Sequence, residues 1–175
     1  MESLAIIVAA TFGVVLVHEM GHYAFAVLFA RLPPKAVKIV VTSWPPYVAL
    51  RDGQNWLSPD DQRYQTVFRS ISPSMSMARW FIASGYVAQI LGVLGWVLIS
   101  RAVGGWMAAM DQTVVMTSGV ITLIVSLLEL SNLVFTGRVS GDLSALWSAG
   151  RIPAGLLIAW VTFGHVLAFM LAGSI

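Results

Sequence analysis

The 175-residue sequence contains no cysteine, and charged residues make up only 10% of it. The absence of cysteine excludes disulfide bonds and metal sites built on thiolates. Soluble domains carry about 25% charged residues. The low charge, together with 58% hydrophobic residues, therefore excludes an ordinary soluble domain. The basic residues stand singly along the chain, which argues against a nucleic-acid partner. We predict an all-α, polytopic membrane protein embedded in a lipid bilayer.

Four apolar stretches are long enough to cross a bilayer as helices, which takes about 20 residues. They cover residues 4–30, 80–100, 113–135 and 154–172. No repeat and no second region of polar composition interrupts the chain, so we predict a single domain over residues 1–175. The first stretch is too long for the core of a signal peptide, and no basic residue precedes it. We therefore expect no cleavable signal.

The connection between the first two spans predicts a small interfacial element. Residues 37–42 are rich in β-branched side chains, Pro45 and Pro46 favour a turn, and residues 47–51 can form a second strand. Ser58 and the residues after it are typical of a helix start, and apolar residues at 64, 67, 68 and 71 follow with helical spacing. We expect a β-hairpin and then an amphipathic helix on the membrane surface. Residues 70–77 and 101–112 are predicted to be loops.

The motif His18-Glu19-Met20-Gly21-His22 lies inside the first apolar stretch. Ionisable side chains in a membrane span are costly and indicate function. Residues four apart on a helix project from one face, about 40° apart, so the two imidazoles can bind one Zn²⁺. Glu19 lies about 100° round the helix, where its carboxylate can accept a proton from water beside the ion. This is the HExxH arrangement of metalloproteases, and it predicts a metal site. The alternative is a pair of structural histidines with accidental spacing.

A catalytic zinc site takes three protein ligands, so the two histidines need a third. The candidates are Asp142, Glu129 and His165. A carboxylate neutralises the site, whereas a third imidazole leaves a charge that costs about 3 to about 10 kcal/mol at the bilayer centre. Gly137 and Gly141 break the third span, whose extension to residue 150 is then discontinuous. We predict Asp142 as the third ligand and as the cap of the next helix. Glu129 and His165 remain the alternatives, and Glu129 could instead support a ligand from behind.

Basic residues favour the cytosolic side of a membrane. Of the ten Lys and Arg residues, all but Arg101 lie in the connection 31–79 or between the third and fourth spans. We therefore predict that both termini lie outside and that residues 31–79 are cytosolic. The HExxH motif then lies in the cytosolic half of its span.

An HExxH motif in the first of three core spans, with an aspartate at a break in the third, resembles the site-2 protease family of intramembrane zinc metalloproteases. Gly85-Tyr86 in the second span is similar to the family's glycine-rich middle helix. The sequence resembles the compact form of the family, which has no PDZ domain. The resemblance implies a zinc-dependent endopeptidase, such as those of the bacterial inner membrane. Its substrates would be single-span regulators such as anti-sigma factors, cut to release a cytosolic fragment.

The resemblance also implies roles for individual residues. His18, His22 and Asp142 would be the ligands of one Zn²⁺, and Glu19 would be the catalytic base. Asn132 is similar to an asparagine that lies upstream of the family's aspartate and helps to bind the substrate backbone.

Gln89 is the strongly polar side chain of the second span. An interhelical hydrogen bond is its favoured role, and a contact with the substrate backbone is the alternative. A non-proteolytic zinc-binding scaffold or a transporter stays open as a rival function. A transporter would be expected to place polar ligands along several spans.

Overall fold

Four long apolar helices dominate the computed structural model, which describes residues 2–173. The helices of the described chain are α1 Glu2–Leu28, α2 Tyr64–Ile71, α3 Met75–Val103, α4 Gly105–Ala109, α5 Asp111–Thr136, α6 Asp142–Ala149 and α7 Arg151–Gly173. Those long and apolar enough to cross a membrane are Leu4–Leu28, Met75–Val103, Gly105–Thr136 and Arg151–Gly173. The four predicted spans are confirmed. The chain is an all-α polytopic membrane protein that also carries a small antiparallel sheet.

Helix α3 lies at the centre of the bundle and contacts α1, α5, α6 and α7. Two glycines let α1 and α3 approach closely. A methyl group on Gly21 would overlap the carbonyl oxygen of Ser84, and one on Gly92 would lie 2.8 Å from Cγ1 of Val17. Gly95 has no such role, because a methyl group there would meet no described atom within 4 Å.

The connection after α1 folds into three antiparallel strands, β1 Val37–Val40, β2 Tyr47–Asp52 and β3 Asn55–Leu57, in the order β1-β2-β3. The predicted β1–β2 hairpin is confirmed, with Val37 opposite Leu50 and Val40 opposite Tyr47. The third strand was not predicted, because three residues are too few to show an alternating pattern. Strand β3 pairs only with the far half of β2, from Leu50 onward.

Helix α2 begins at Tyr64, so the predicted start at Ser58 is wrong. The Asp61 carboxylate accepts a hydrogen bond from the backbone N–H of Arg63 at 2.8 Å, which stabilises a local turn there. Tyr64 and Phe68 are buried against the sheet and the ends of α1 and α3, whereas Ile71 is 40% exposed. Most of the apolar face predicted for the membrane surface therefore packs against protein.

Both predicted loops are mostly helical. Residues 75–77 belong to α3, whose first turn is capped by Ser74, and α3 continues to Val103. Gly104 and Gly105, both with positive φ, then make a tight turn into the short helix α4. The buried Asp111 accepts a hydrogen bond from Ser100 Oγ at 2.5 Å and so joins α3 to the start of α5.

The predicted break after the third span is confirmed. Helix α5 ends at Thr136, the following Gly137 adopts the left-handed conformation at φ 69°, and α6 starts at Asp142. Asp142 is the first helical residue rather than the cap, because Gly141 occupies the cap position with φ 103°. The side chain of Asp142 is therefore free of capping and can point elsewhere.

Candidate metal centre

The structure brings the three predicted ligands together. His18 and His22 project from one face of α1, and their Nε2 atoms lie 3.2 Å apart. Asp142 Oδ2, from the start of α6, lies 2.8 Å from each of these nitrogens. Within residues 2–173, this trio is the group of histidine and acidic side chains close enough to share a metal ion.

The distances suit a small divalent cation. Ligand atoms at 2.0–2.1 Å in a tetrahedral site are about 3.3 Å apart. The 3.2 Å between the two nitrogens matches this spacing, and the 2.8 Å from each nitrogen to Asp142 Oδ2 is shorter. His22 Nδ1 lies 2.8 Å from the carbonyl oxygen of Phe81, which only accepts, so Nδ1 carries a proton. His18 Nδ1 similarly faces Gln89 Oε1 at 3.1 Å. In neutral rings both Nε2 lone pairs then face a carboxylate oxygen, an arrangement that a cation between them stabilises.

Asp142 is ionised in this setting. Burial disfavours its charge, but in the metal-free centre the charge of protonated His22 and the hydrogen bonds from His18 and His22 outweigh burial and hold the pKa of this carboxyl below its ordinary value. An ionised carboxylate is the form that binds a metal.

Glu129 holds the start of α6 from behind. Its Oε2 accepts hydrogen bonds from the backbone N–H groups of Leu143 at 2.7 Å and Ser144 at 3.2 Å. A carboxylate on the first N–H groups of a helix both caps it and suits its dipole. Gly141 makes room for this contact, since a methyl group there would overlap the Glu129 carboxylate. Glu129 therefore supports Asp142 and lies outside the trio.

The third candidate ligand, His165, lies away from the centre. Its Nε2 is 3.0 Å from Ser118 Oγ, and its Nδ1 is 2.9 Å from the carbonyl oxygen of Val161. Both ring nitrogens are thus engaged within the bundle of α5 and α7. The geometry favours Asp142 over both alternatives.

The second predicted span provides the floor of the centre. A methyl group built on Gly85 would overlap the Nε2 atoms of both His18 and His22. Only a glycine leaves these nitrogens their space. The next residue, Tyr86, packs edge-on against the His18 ring, with centroids 4.8 Å apart. Gly85 was singled out by resemblance, but its contact with the two imidazoles depends on how α3 packs against α1.

Glu19 is buried, with 9% of its surface exposed, and lies on the wall of a cavity that also contains the trio. Its carboxylate lies beside the backbone N–H of Val48 in β2. The carbonyl oxygen of Val48 accepts a hydrogen bond from the Tyr64 hydroxyl at 2.9 Å. Burial raises the pKa of Tyr64, which keeps this hydroxyl protonated as a donor. The middle of β2 is therefore fixed directly beside Glu19.

The cavity has a volume of about 1570 Å³ and is bounded by α1, α2, α3, α5, α6 and the loop before β2. It is large enough for several residues of an extended peptide. Its wall combines the metal trio and Glu19 with aromatic and proline side chains of the loop before β2 and the start of that strand, which are Trp44, Pro45, Pro46 and Tyr47.

The two residues predicted to bind substrate are both engaged with protein groups. Asn132 lies at the cavity wall, donates to Ser140 Oγ at 2.8 Å and accepts from Thr136 Oγ1 at 2.9 Å. Gln89 is 5% exposed and bonds side chains of α1 and α5, so its favoured interhelical role is observed. A substrate contact by either residue stays a prediction.

Sequence reasoning missed one of the groups that support the ligands. The carbonyl of Phe81 is a backbone group and leaves no trace in the sequence. Glu129 was considered as a ligand or a support, and its position shortly before a glycine-flanked break is the signal that favours a capping role.

The fold and the site define a class: an α-helical membrane protein with a candidate metal centre of two histidines and one aspartate. Comparison of the chain with protein-family models, with curated proteins and with solved structures finds no match.

Proposed function

We propose that the chain is an intramembrane zinc endopeptidase similar to the site-2 protease family. One observation carries the proposal: two imidazole nitrogens and a carboxylate oxygen converge at 2.8–3.2 Å, with the buried Glu19 in the same cavity. Two nitrogens and one oxygen, with a fourth position open to the cavity, form the donor set of a catalytic zinc site. His18, His22 and Asp142 would hold the ion.

Bound zinc would supply Lewis acidity, lowering the pKa of water and polarising a peptide carbonyl. Glu19 would act as general base and accept a proton as the oxygen of water bonds to the carbonyl carbon. It would then deliver this proton to the amide nitrogen as the C–N bond breaks. Phe81 and Gln89 would keep the two imidazoles oriented throughout.

The substrate would lie in the cavity in an extended form. A peptide bond inside a helix is hidden by its own hydrogen bonds, so cleavage needs an unwound segment. On the side of β2 that faces β3, pairing begins only at Leu50, and Tyr47 and Val48 before it line the cavity. An extended peptide could pair with this length of strand once the Tyr64 hydroxyl and the Glu19 carboxylate release the backbone groups of Val48, and its backbone would then lie beside Glu19.

The proposed substrate is a single-span membrane regulator, such as an anti-sigma factor, in a bacterial inner membrane. The sheet and α6 follow the first and the third of four spans, so both lie on one side of the membrane if all four cross it. The basic residues of these connections favour the cytosol for that side. Cleavage there would release a cytosolic fragment.

A comparison of the wild-type chain with Glu19→Gln tests the proposal without a known substrate. Both proteins would be analysed for metal content after purification, and membranes from cells expressing each would be surveyed for new protein N-termini by mass spectrometry. We expect about one zinc per chain in both proteins, because Glu19 is not a ligand. New N-termini within apolar segments should appear only with the wild type.

Two results would contradict the proposal. Iron in place of zinc would point to different chemistry, since two histidines and a carboxylate also bind iron in oxygenases. Identical N-termini with both proteins, each carrying zinc, would favour the non-proteolytic scaffold or transporter.

A further inference from the structure

A line of hydrogen-bonded side chains runs from the metal centre across the bundle to α7. Gln89 Oε1 lies 3.1 Å from His18 Nδ1. Gln89 Nε2 lies 2.9 Å from Ser118 Oγ, which lies 3.0 Å from His165 Nε2. The line ends where His165 Nδ1 lies 2.9 Å from the carbonyl oxygen of Val161. It therefore joins one side chain from each of α1, α3, α5 and α7.

The protons along this line can be assigned from its far end. The carbonyl of Val161 only accepts, so His165 Nδ1 carries a proton, and in the neutral ring Nε2 is an acceptor. The single hydroxyl proton of Ser118 is then directed at His165. Ser118 Oγ must accept from Gln89, which identifies the nearby atom of Gln89 as its amide nitrogen.

Thr122 fixes the orientation of the Gln89 amide independently. Its hydroxyl donates to the backbone carbonyl of Ser118 at 2.8 Å, so its oxygen can only accept from Gln89 Nε2 at 2.7 Å. Two separate acceptors on α5 thus require the NH₂ group of Gln89 to face α5. The amide oxygen must then face His18, whose Nδ1 has to be the donor.

Burial makes this arrangement hard to reverse. Ser118 is fully buried, Gln89 is 5% exposed and Thr122 is 7% exposed. A flipped amide would set its oxygen against the hydroxyl oxygens of Ser118 and Thr122, whose own protons are directed elsewhere. Leaving buried polar groups unpaired is costly, and bonds aligned in one direction strengthen each other.

We propose that Gln89, Ser118 and His165 are positioning residues that hold the proton of His18 on Nδ1 and so leave its Nε2 free to bind the metal. The inference rests on the metal site of the proposed function but does not depend on proteolysis. It gives His165, which was considered as a ligand, a role at a distance from the ion. It also gives the fourth span a part in shaping the centre.

The first readout needs no metal. The chain has three histidines, so the full-length protein with ¹⁵N-labelled histidine should give few and assignable ring signals in detergent micelles. We expect a slowly exchanging Nδ1 proton on His18 in the metal-free wild type. It should be lost in Gln89→Leu and kept in Gln89→Glu, whose carboxylate still accepts from Nδ1 while the hydroxyls of Ser118 and Thr122 turn to donate to it.

The second readout is the zinc affinity, measured by competition with a chromophoric chelator. Removing the partner of a ligating histidine typically weakens metal binding by about 10–100-fold. We expect a loss in this range for Gln89→Leu and an affinity within about twofold of wild type for Gln89→Glu. The conservative variant separates positioning from packing, because both substitutions change the same buried site.

A matched serine pair extends the test along the line. Ser118 and Ser100 are both fully buried and both use their hydroxyls, but Ser100 bonds Asp111 at the other end of the bundle. Because Thr122 still accepts from the Gln89 amide, Ser118→Ala should weaken zinc binding less than Gln89→Leu does, whereas Ser100→Ala should not weaken it. If Gln89→Leu does not fold, this pair decides the question.

The proposal is overturned if Gln89→Leu keeps both the His18 proton signal and the wild-type affinity. It is also overturned if Gln89→Glu loses affinity as Gln89→Leu does, or if the two serine variants bind zinc equally. A wild-type protein that binds no metal would contradict the proposed function. The proton signal of the metal-free protein would still test this inference.

Discussion

Gly85→Ala should abolish metal binding while leaving the rest of the bundle largely intact. The added methyl group would occupy the space of the two Nε2 atoms, so the imidazoles would have to turn away from Asp142. Gly95 in the same helix offers the control, because a methyl group there meets no described atom within 4 Å. The two variants gain the same methyl group and differ in what it touches.

The two substitutions should change the free energy of unfolding in opposite directions. Replacing a helical glycine by alanine stabilises the helix by about 1 kcal/mol. Gly95→Ala should keep this gain. In Gly85→Ala the overlap costs about 1–3 kcal/mol, which cancels or exceeds the gain. The free energy of unfolding of the metal-free Gly85→Ala protein should therefore lie between the wild-type value and about 2 kcal/mol below it.

The larger difference should appear when zinc is added. A ligand at 1,000 times its dissociation constant stabilises the folded state by about 4 kcal/mol. Denaturant unfolding in detergent, with and without zinc, should show this stabilisation for the wild type and for Gly95→Ala. Gly85→Ala should show almost none, and competition with a chelator should find no site on it. If Gly85→Ala bound zinc with wild-type affinity, the packing of α3 beneath the imidazoles would have to be wrong.

Further predictions concern the third ligand, its support and the topology. Asp142→Ala should lose zinc entirely, and retention of zinc, measured by metal analysis, would move the third ligand elsewhere. Glu129→Ala should keep the site but weaken it by about tenfold in chelator competition, because α6 loses its cap; unchanged affinity would argue against a supporting role. A reporter fused after residue 175 should be active outside the cytosol, and cytosolic activity would refute the proposed orientation.

The sequence by itself determined the features that depend on neighbouring residues. Long apolar runs define the spans, because each turn of a membrane helix satisfies its own backbone groups. His18 and His22 are four residues apart, and a helix completes a turn every 3.6 residues, so both lie on one helix face. Gly137 and Gly141 predict the break after the third span, since glycine readily adopts a positive φ at such a position.

Only the tertiary structure decided how distant parts meet at the centre. Three acidic or histidine side chains competed as third ligand. The packing of α6 against α3, α5 and α7 brings Asp142 to the two imidazoles of α1 and so selects it. The glycine-flanked break after Glu129 favours capping without excluding ligation, and only the packing shows that Glu129 caps α6. The contact of Gly85 with the two imidazoles and the hydrogen bond between Gln89 and His18 likewise depend on how α3 packs against its neighbours. Local chemistry sets each helix, but the contacts between helices depend on packing across the whole bundle, and those contacts shape the site.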